Sequence, residues 1–152
     1  MIKKNILIIS LILLLSSCGF TPIYLSNKNV DFSIEQVDYV GDRELNNFLK
    51  TNLYQYKNDK IDNKIFIETS SVYKKNILSK NKTGEISNYQ IKAEVIFLIK
   101  PSNKEIKITE EKIMNSMDDK FEEARNERSI KKSFASSISK RLTSELITNK
   151  WY

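Results

Sequence analysis

Cys18 carries the only thiol in this 152-residue chain, and the chain has no histidine. Those two facts remove most side-chain chemistry. Without an imidazole there is no Ser-His-Asp triad, no common general base and no usual zinc site. A single sulfur makes neither a disulfide nor a thiolate cluster. Three glycines are too few for a phosphate-cradling loop. The densest acid cluster is Asp118, Asp119, Glu122 and Glu123. Paired carboxylates can do acid–base work, but these stand at a predicted helix start, where acids cap the backbone and favour the dipole. The residue types therefore predict a protein that is not an enzyme, with no metal and no dissociable cofactor.

The chemistry left to Cys18 follows from what precedes it. Lys3 and Lys4 are followed by Ile6–Leu15, apolar except for Ser10, and then by Ser16-Ser17-Cys18. A basic start, a short apolar run and small residues make up a secretory signal peptide. Ten residues rise only about 15 Å as a helix, half of the ~30 Å hydrocarbon core, so the run is a poor transmembrane span. Cys18 at its end resembles the lipobox of bacterial lipoproteins, where the thiol receives a diacylglycerol and the new amino terminus an acyl chain. A free cysteine behind an uncleaved anchor is the alternative. The expected divisions are 1–17 as signal peptide, 18–29 as lipidated tether and 30–152 as one domain. That length buries a core without covalent staples. Losing Lys3 and Lys4 lowers the formal charge from +6 to +4. The lysines are scattered rather than striped, which argues against nucleic acid.

Within the tether, Phe20, Ile23 and Tyr24 suit either the membrane interface or docking on the body or a partner. Val30–Val40 reads as a first strand whose apolar side switches, from Phe32 and Ile34 to Val37 and Tyr39, as a bulge would cause. Asp42 is a good N-cap for a helix with the stripe Leu45, Phe48, Leu49, Leu53 and Tyr56. Packing on a sheet explains that stripe more simply than lying on a membrane. Lys64–Tyr73 is a second strand that can run on into a long hairpin arm. Tyr89–Ile99 is the clearest strand. Its inward set is Tyr89, Ile91, Ala93, Val95, Phe97 and Ile99, yet Ile96 and Leu98 point the other way, as when both faces are covered. After the turn Pro101-Ser102-Asn103, Lys104–Ile113 returns as a fourth strand. Phe121–Asn149 is a long helix with Ile130, Phe134, Ile138, Leu142 and Leu146 four apart. Each helix has one stripe to hide. The order β-α-β-β-β-α therefore predicts an α+β fold, a four-stranded mostly antiparallel sheet with two helices on one face.

A site for lipid phosphates needs cations beside an apolar edge. Lys74, Lys75, Lys80 and Lys82 around the long hairpin are candidates, with Lys100 and Lys104 flanking the other turn. The plainer reading is that these lysines keep loops and edges soluble.

Cys18-Gly19-Phe20-Thr21-Pro22-Ile23-Tyr24 is close to a Cys-Gly-Phe-x-Pro-Leu-Tyr opening, and Phe121-Glu122-Glu123-Ala124-Arg125-Asn126-Glu127 leads into a long Ser/Ala-rich helix. With the element order, these features resemble the LPS-assembly lipoprotein family LptE in its alphaproteobacterial form. The high Asn, Lys and Ile content departs from the family and blurs residue-level matching. The resemblance implies a lipoprotein tethered at the periplasmic face of the outer membrane. Its partners would be an LptD β-barrel, which it plugs and helps assemble, and lipopolysaccharide. An auxiliary lipoprotein of an ABC-type lipid transporter or of a barrel-assembly complex is the alternative, since small α+β folds recur there.

Overall fold

The computed structural model describes residues 30–100 and 102–150, apart from the side chains of Gln36 and Val37. Cys18, the signal peptide and the tether lie outside the described residues. The elements are β1 (Ser33–Gly41), α1 (Arg43–Tyr54), β2 (Lys64–Lys80), β3 (Ile86–Lys100), β4 (Lys104–Asn115) and α2 (Lys120–Asn149). They form the expected α+β arrangement. The sheet order is β1-β2-β3-β4. β1 runs parallel to β2 through the α1 crossover, and the other two pairs are antiparallel hairpins.

One face of the sheet makes the core. Ile65 and Ile67 of β2, Ile91, Ala93, Val95, Phe97 and Ile99 of β3, and Ile108 of β4 are all buried on it. Both helices lie against this face. Asp42 caps α1 by accepting from the Leu45 N–H at 2.8 Å, and Asp119 caps α2 by accepting from the Phe121 N–H at 2.8 Å. Each cap is worth about 1 kcal/mol. The row Ile130, Phe134, Ile138, Leu142, Leu146 is buried throughout. Through this row α2 packs on α1, β4 and β3. Side chains at its start reach Lys75 of β2, and its middle meets β4, where Ser137 and Arg141 reach Glu110.

Two sequence expectations resolve at the sheet. The switch of face in β1 is a register shift between Gln36 and Asp38, which returns Tyr39 to the core side opposite Thr69. Over the outward Ile96 and Leu98 nothing packs among the described residues. They are half-buried because cross-strand neighbours flank them, Lys107 with Ser70 and Glu105 with Glu68. Lys107 is further held across the face by Glu94 at 2.9 Å.

β2 extends past the end of β1. Beyond the last pair, Gly41 with Ser71, β2 and β3 continue as the long arm the sequence suggested. It ends in a turn where Asn81 accepts from the Thr83 and Glu85 N–H groups.

Candidate functional site

The first region is a groove between β1 and α1. Asp42 starts the helix directly after β1, which brings the first turns of α1 alongside the strand. Arg43, Asn46, Asn47 and Lys50 recur at helical spacing, so they share one flank. With Tyr39 and Gly41 they line a recess of about 220 Å³. A second recess of about 180 Å³, lined by Ile34, Glu35, Tyr39, Lys50, Leu53, Tyr54 and Lys57, shares Tyr39 and Lys50 with the first. The two form one groove, polar at the start of α1 and more apolar toward its end.

Two buried polar atoms of these lining residues have no partner among the described residues. Asn46 is buried and its Nδ2 donates to the Val40 carbonyl at 3.2 Å. Among the described residues its Oδ1 has no partner, nor has the Tyr39 hydroxyl. Burial pushes the Tyr39 phenol above its ordinary pKa. A buried polar group without a partner costs about 1–3 kcal/mol. Arg43 and Lys50 have no ion pair among the described residues, whereas Lys57 pairs with Glu35 at 3.2 Å.

The second region is an ionic seam between α2, β2 and the start of α1. Glu123 is buried and its Oε2 accepts from the Met117 N–H at 3.1 Å, Ser116 Oγ at 3.2 Å and Lys120 Nζ at 3.2 Å. Its Oε1 accepts from Lys75 Nζ at 3.0 Å. Burial pushes the Glu123 carboxyl up, but these donors and the lysine charge outweigh it and bring the pKa to about 2. Lys75 also donates to Glu127 at 2.9 Å and stands 4.2 Å over the Tyr89 ring. Lys131 reaches Glu44 at 3.2 Å and Asp42 at 3.5 Å, and lies 4.1 Å over the Tyr73 ring. Tyr73 is half-buried and its hydroxyl makes no well-formed hydrogen bond. Burial holds this phenol above its ordinary pKa, with the Glu127 carboxylate acting the same way.

The acid cluster at 118–123 thus has structural duties in its two best-placed members, Asp119 as a cap and Glu123 as the centre of the seam. The six lysines do not converge. Lys100 and Lys104 sit at one end of the sheet, with Lys100 opposite Phe66. Lys80 and Lys82 sit at the tip of the arm, some 45 Å away at about 3.3 Å per strand residue. Lys74 is exposed on the open face and Lys75 is turned inward with its charge engaged. Beside Lys80 and Lys82 the arm exposes Ile77 and Leu78, 55% and 47% accessible. The arm thus sets two cations beside exposed apolar side chains, and at the far end of the sheet Lys100 likewise stands opposite Phe66, which is exposed.

Sequence reasoning missed the groove and the seam. Parity along β2 signals the seam, since Lys75 falls on the face of Ile65, Ile67 and Tyr73. So does helical spacing along α2, where Lys131 precedes Ile138 by seven residues and Glu123 precedes Ile130 by seven. The orphaned atoms of the groove have no counterpart in sequence.

A scan against family models and a search of curated proteins gave no match. Solved structures do match in fold. Rare lipoprotein B from Shewanella oneidensis superposes with a TM-score of 0.52 at 15% identity, over 76% of this chain and 96% of that one. An uncharacterized lipoprotein B from Nitrosomonas europaea gives 0.52 at 16% identity, over 80% and 90%. A minor lipoprotein from Acinetobacter baumannii gives 0.51 at 10% identity, over 74% and 94%. The shared fold takes in about three quarters of this chain and nine-tenths or more of each of the other three.

Proposed function

We propose that this chain is an LptE-like envelope lipoprotein. It is anchored through acyl chains on Cys18 to the periplasmic face of the outer membrane. There it serves an LptD-like β-barrel as plug and assembly partner in lipopolysaccharide transport. The observation that carries this reading is a lipobox-like cysteine placed just ahead of a domain that has the fold of the Shewanella lipoprotein B over 96% of that chain. The opening Cys18-Gly19-Phe20 and the run into α2 support the same family.

The surface suits the role. A plug meets a polar barrel lumen, and the charged back of α2 and the outward charges of β4 offer a polar exterior. The tip of the arm, with Ile77, Leu78, Lys80 and Lys82, combines an apolar edge with cations. It is the best-placed contact for the phosphates of lipid A. Lys74 can add to it from the open face, while Lys75 is committed to Glu123 and Glu127. Nothing in this role requires catalysis.

Purification of the intact lipidated protein from membranes, followed by mass spectrometry, tests the reading. A large outer-membrane barrel should be recovered. Its absence would overturn the partnership. Cys18→Ala should leave a soluble or inner-membrane precursor, and outer-membrane fractionation like that of the wild type would overturn the anchor.

A further inference from the structure

We propose that the groove between α1 and β1 binds a hydroxylated phosphate, such as a sugar phosphate, with Arg43 and Lys50 on the phosphate and Tyr39 and Asn46 on the hydroxyls. The site is separate from the lysines of the arm and does not depend on a barrel partner.

Three observations coincide at one recess. Arg43 and Lys50 lie seven residues apart, two turns of α1, so both side chains line the same recess, and neither has a counter-ion among the described residues. An arginine fork and a lysine point charge within two turns suit an oxyanion. Asn46 and Tyr39 line the same recess, and just beneath its surface Asn46 Oδ1 and the Tyr39 hydroxyl are buried without partners among the described residues. An amide oxygen only accepts, so bare phosphate leaves it unsatisfied unless protonated and suitably placed. A sugar hydroxyl donates to it and also pairs with the phenol. The ligand class therefore needs both an anion and hydroxyl groups. Size agrees: at about 220 Å³ the recess lies below the range for drug-sized ligands and suits one phosphorylated ring. Both orphaned atoms are screened from water, so the wall must shift slightly as the ligand seats.

The test uses the full-length chain in a neutral detergent, followed by ¹H–¹⁵N NMR at constant ionic strength. Glucose 1-phosphate, inorganic phosphate and glucose are titrated separately. Glucose 1-phosphate should saturate shifts at the Asn46 side-chain amide and at the Tyr39 and Lys50 backbone. It should bind about tenfold more tightly than inorganic phosphate, and glucose alone should bind more weakly than either. The double variant Arg43→Gln/Lys50→Gln should lose about tenfold or more in affinity while melting as the wild type does. Lys60→Gln, away from the groove, should bind normally. A further arm adds vesicles of phosphatidylglycerol, whose headgroup is also a hydroxylated phosphate. Competition with glucose 1-phosphate assigns a lipid source, and its absence assigns a free sugar phosphate. Shifts that do not saturate, equal affinity for inorganic phosphate, or unchanged affinity in the double variant would each overturn the proposal.

Discussion

The seam under α2 and the groove beside α1 are built from the same kinds of side chain, yet they are opposites. In the seam, Glu123 is buried with four donors around it, and Lys75 and Lys131 each hold two carboxylates and a ring. In the groove, Arg43 and Lys50 hold no counter-ion among the described residues, whereas buried polar atoms without a described partner occur in both regions, the Tyr73 hydroxyl in the seam and the Tyr39 hydroxyl and Asn46 Oδ1 in the groove. Burial alone does not separate the two regions; the pairing of their charges does. A satisfied charge network positions elements, whereas an unsatisfied one is open to a ligand.

The comparison can be broken at several points. Gly41, which lines the groove and leads into Asp42 of the seam, should give the largest effect. It sits at φ +105°, and a Cβ there would come within 1.8 Å of the Ser71 carbonyl oxygen. Gly41→Ala should lose more than about 3 kcal/mol or fail to fold, read by urea denaturation. Glu123→Ala comes next, at about 3 kcal/mol, because it leaves Lys75 and the Met117 N–H without their buried partner.

Acid should dismantle the seam selectively. The Glu123 carboxyl titrates at about 2 in the folded chain, below the ordinary glutamate value of about 4.3. Its contribution is therefore complete above that ordinary value and is lost as pH falls toward 2. Denaturation midpoints between pH 5 and pH 2 should drop less steeply in Glu123→Gln than in the wild type. Parallel curves would show that Glu123 does not anchor the seam.

Groove substitutions should do the reverse. Tyr39→Phe removes an unpaired hydroxyl and should leave stability unchanged or raise it by up to about 1 kcal/mol. A clear loss on calorimetry would mean that the hydroxyl has a partner and that the contrast fails. The smallest effect belongs to Arg43→Gln and Lys50→Gln, each within about 0.5 kcal/mol of the wild type in urea.

Much of the architecture was legible because it rests on local pattern. The Asp42 cap, the stripe from Leu45 to Tyr56, the alternation from Tyr89 to Ile99 and the four-residue row in α2 each encode an element and its buried side. The candidate site was legible only in part. Lys80 and Lys82 do stand beside apolar residues, because a hairpin tip is a local feature. Lys75 carries the same charge one residue beyond Lys74, but strand parity turns it inward, where carboxylates 48 and 52 residues away capture it. A charge reads the same in sequence whether its counter-ion is near or absent.

By itself the sequence determined the elements, their order, the single face both helices seek and the lone cysteine ahead of them, since periodicity and residue chemistry act over a few neighbours. The tertiary structure alone decided which charges are spent and which are free. Ion pairing depends on distances between segments tens of residues apart, and only the packing of α2 on α1 and β4, and of α1 beside β1, sets those distances.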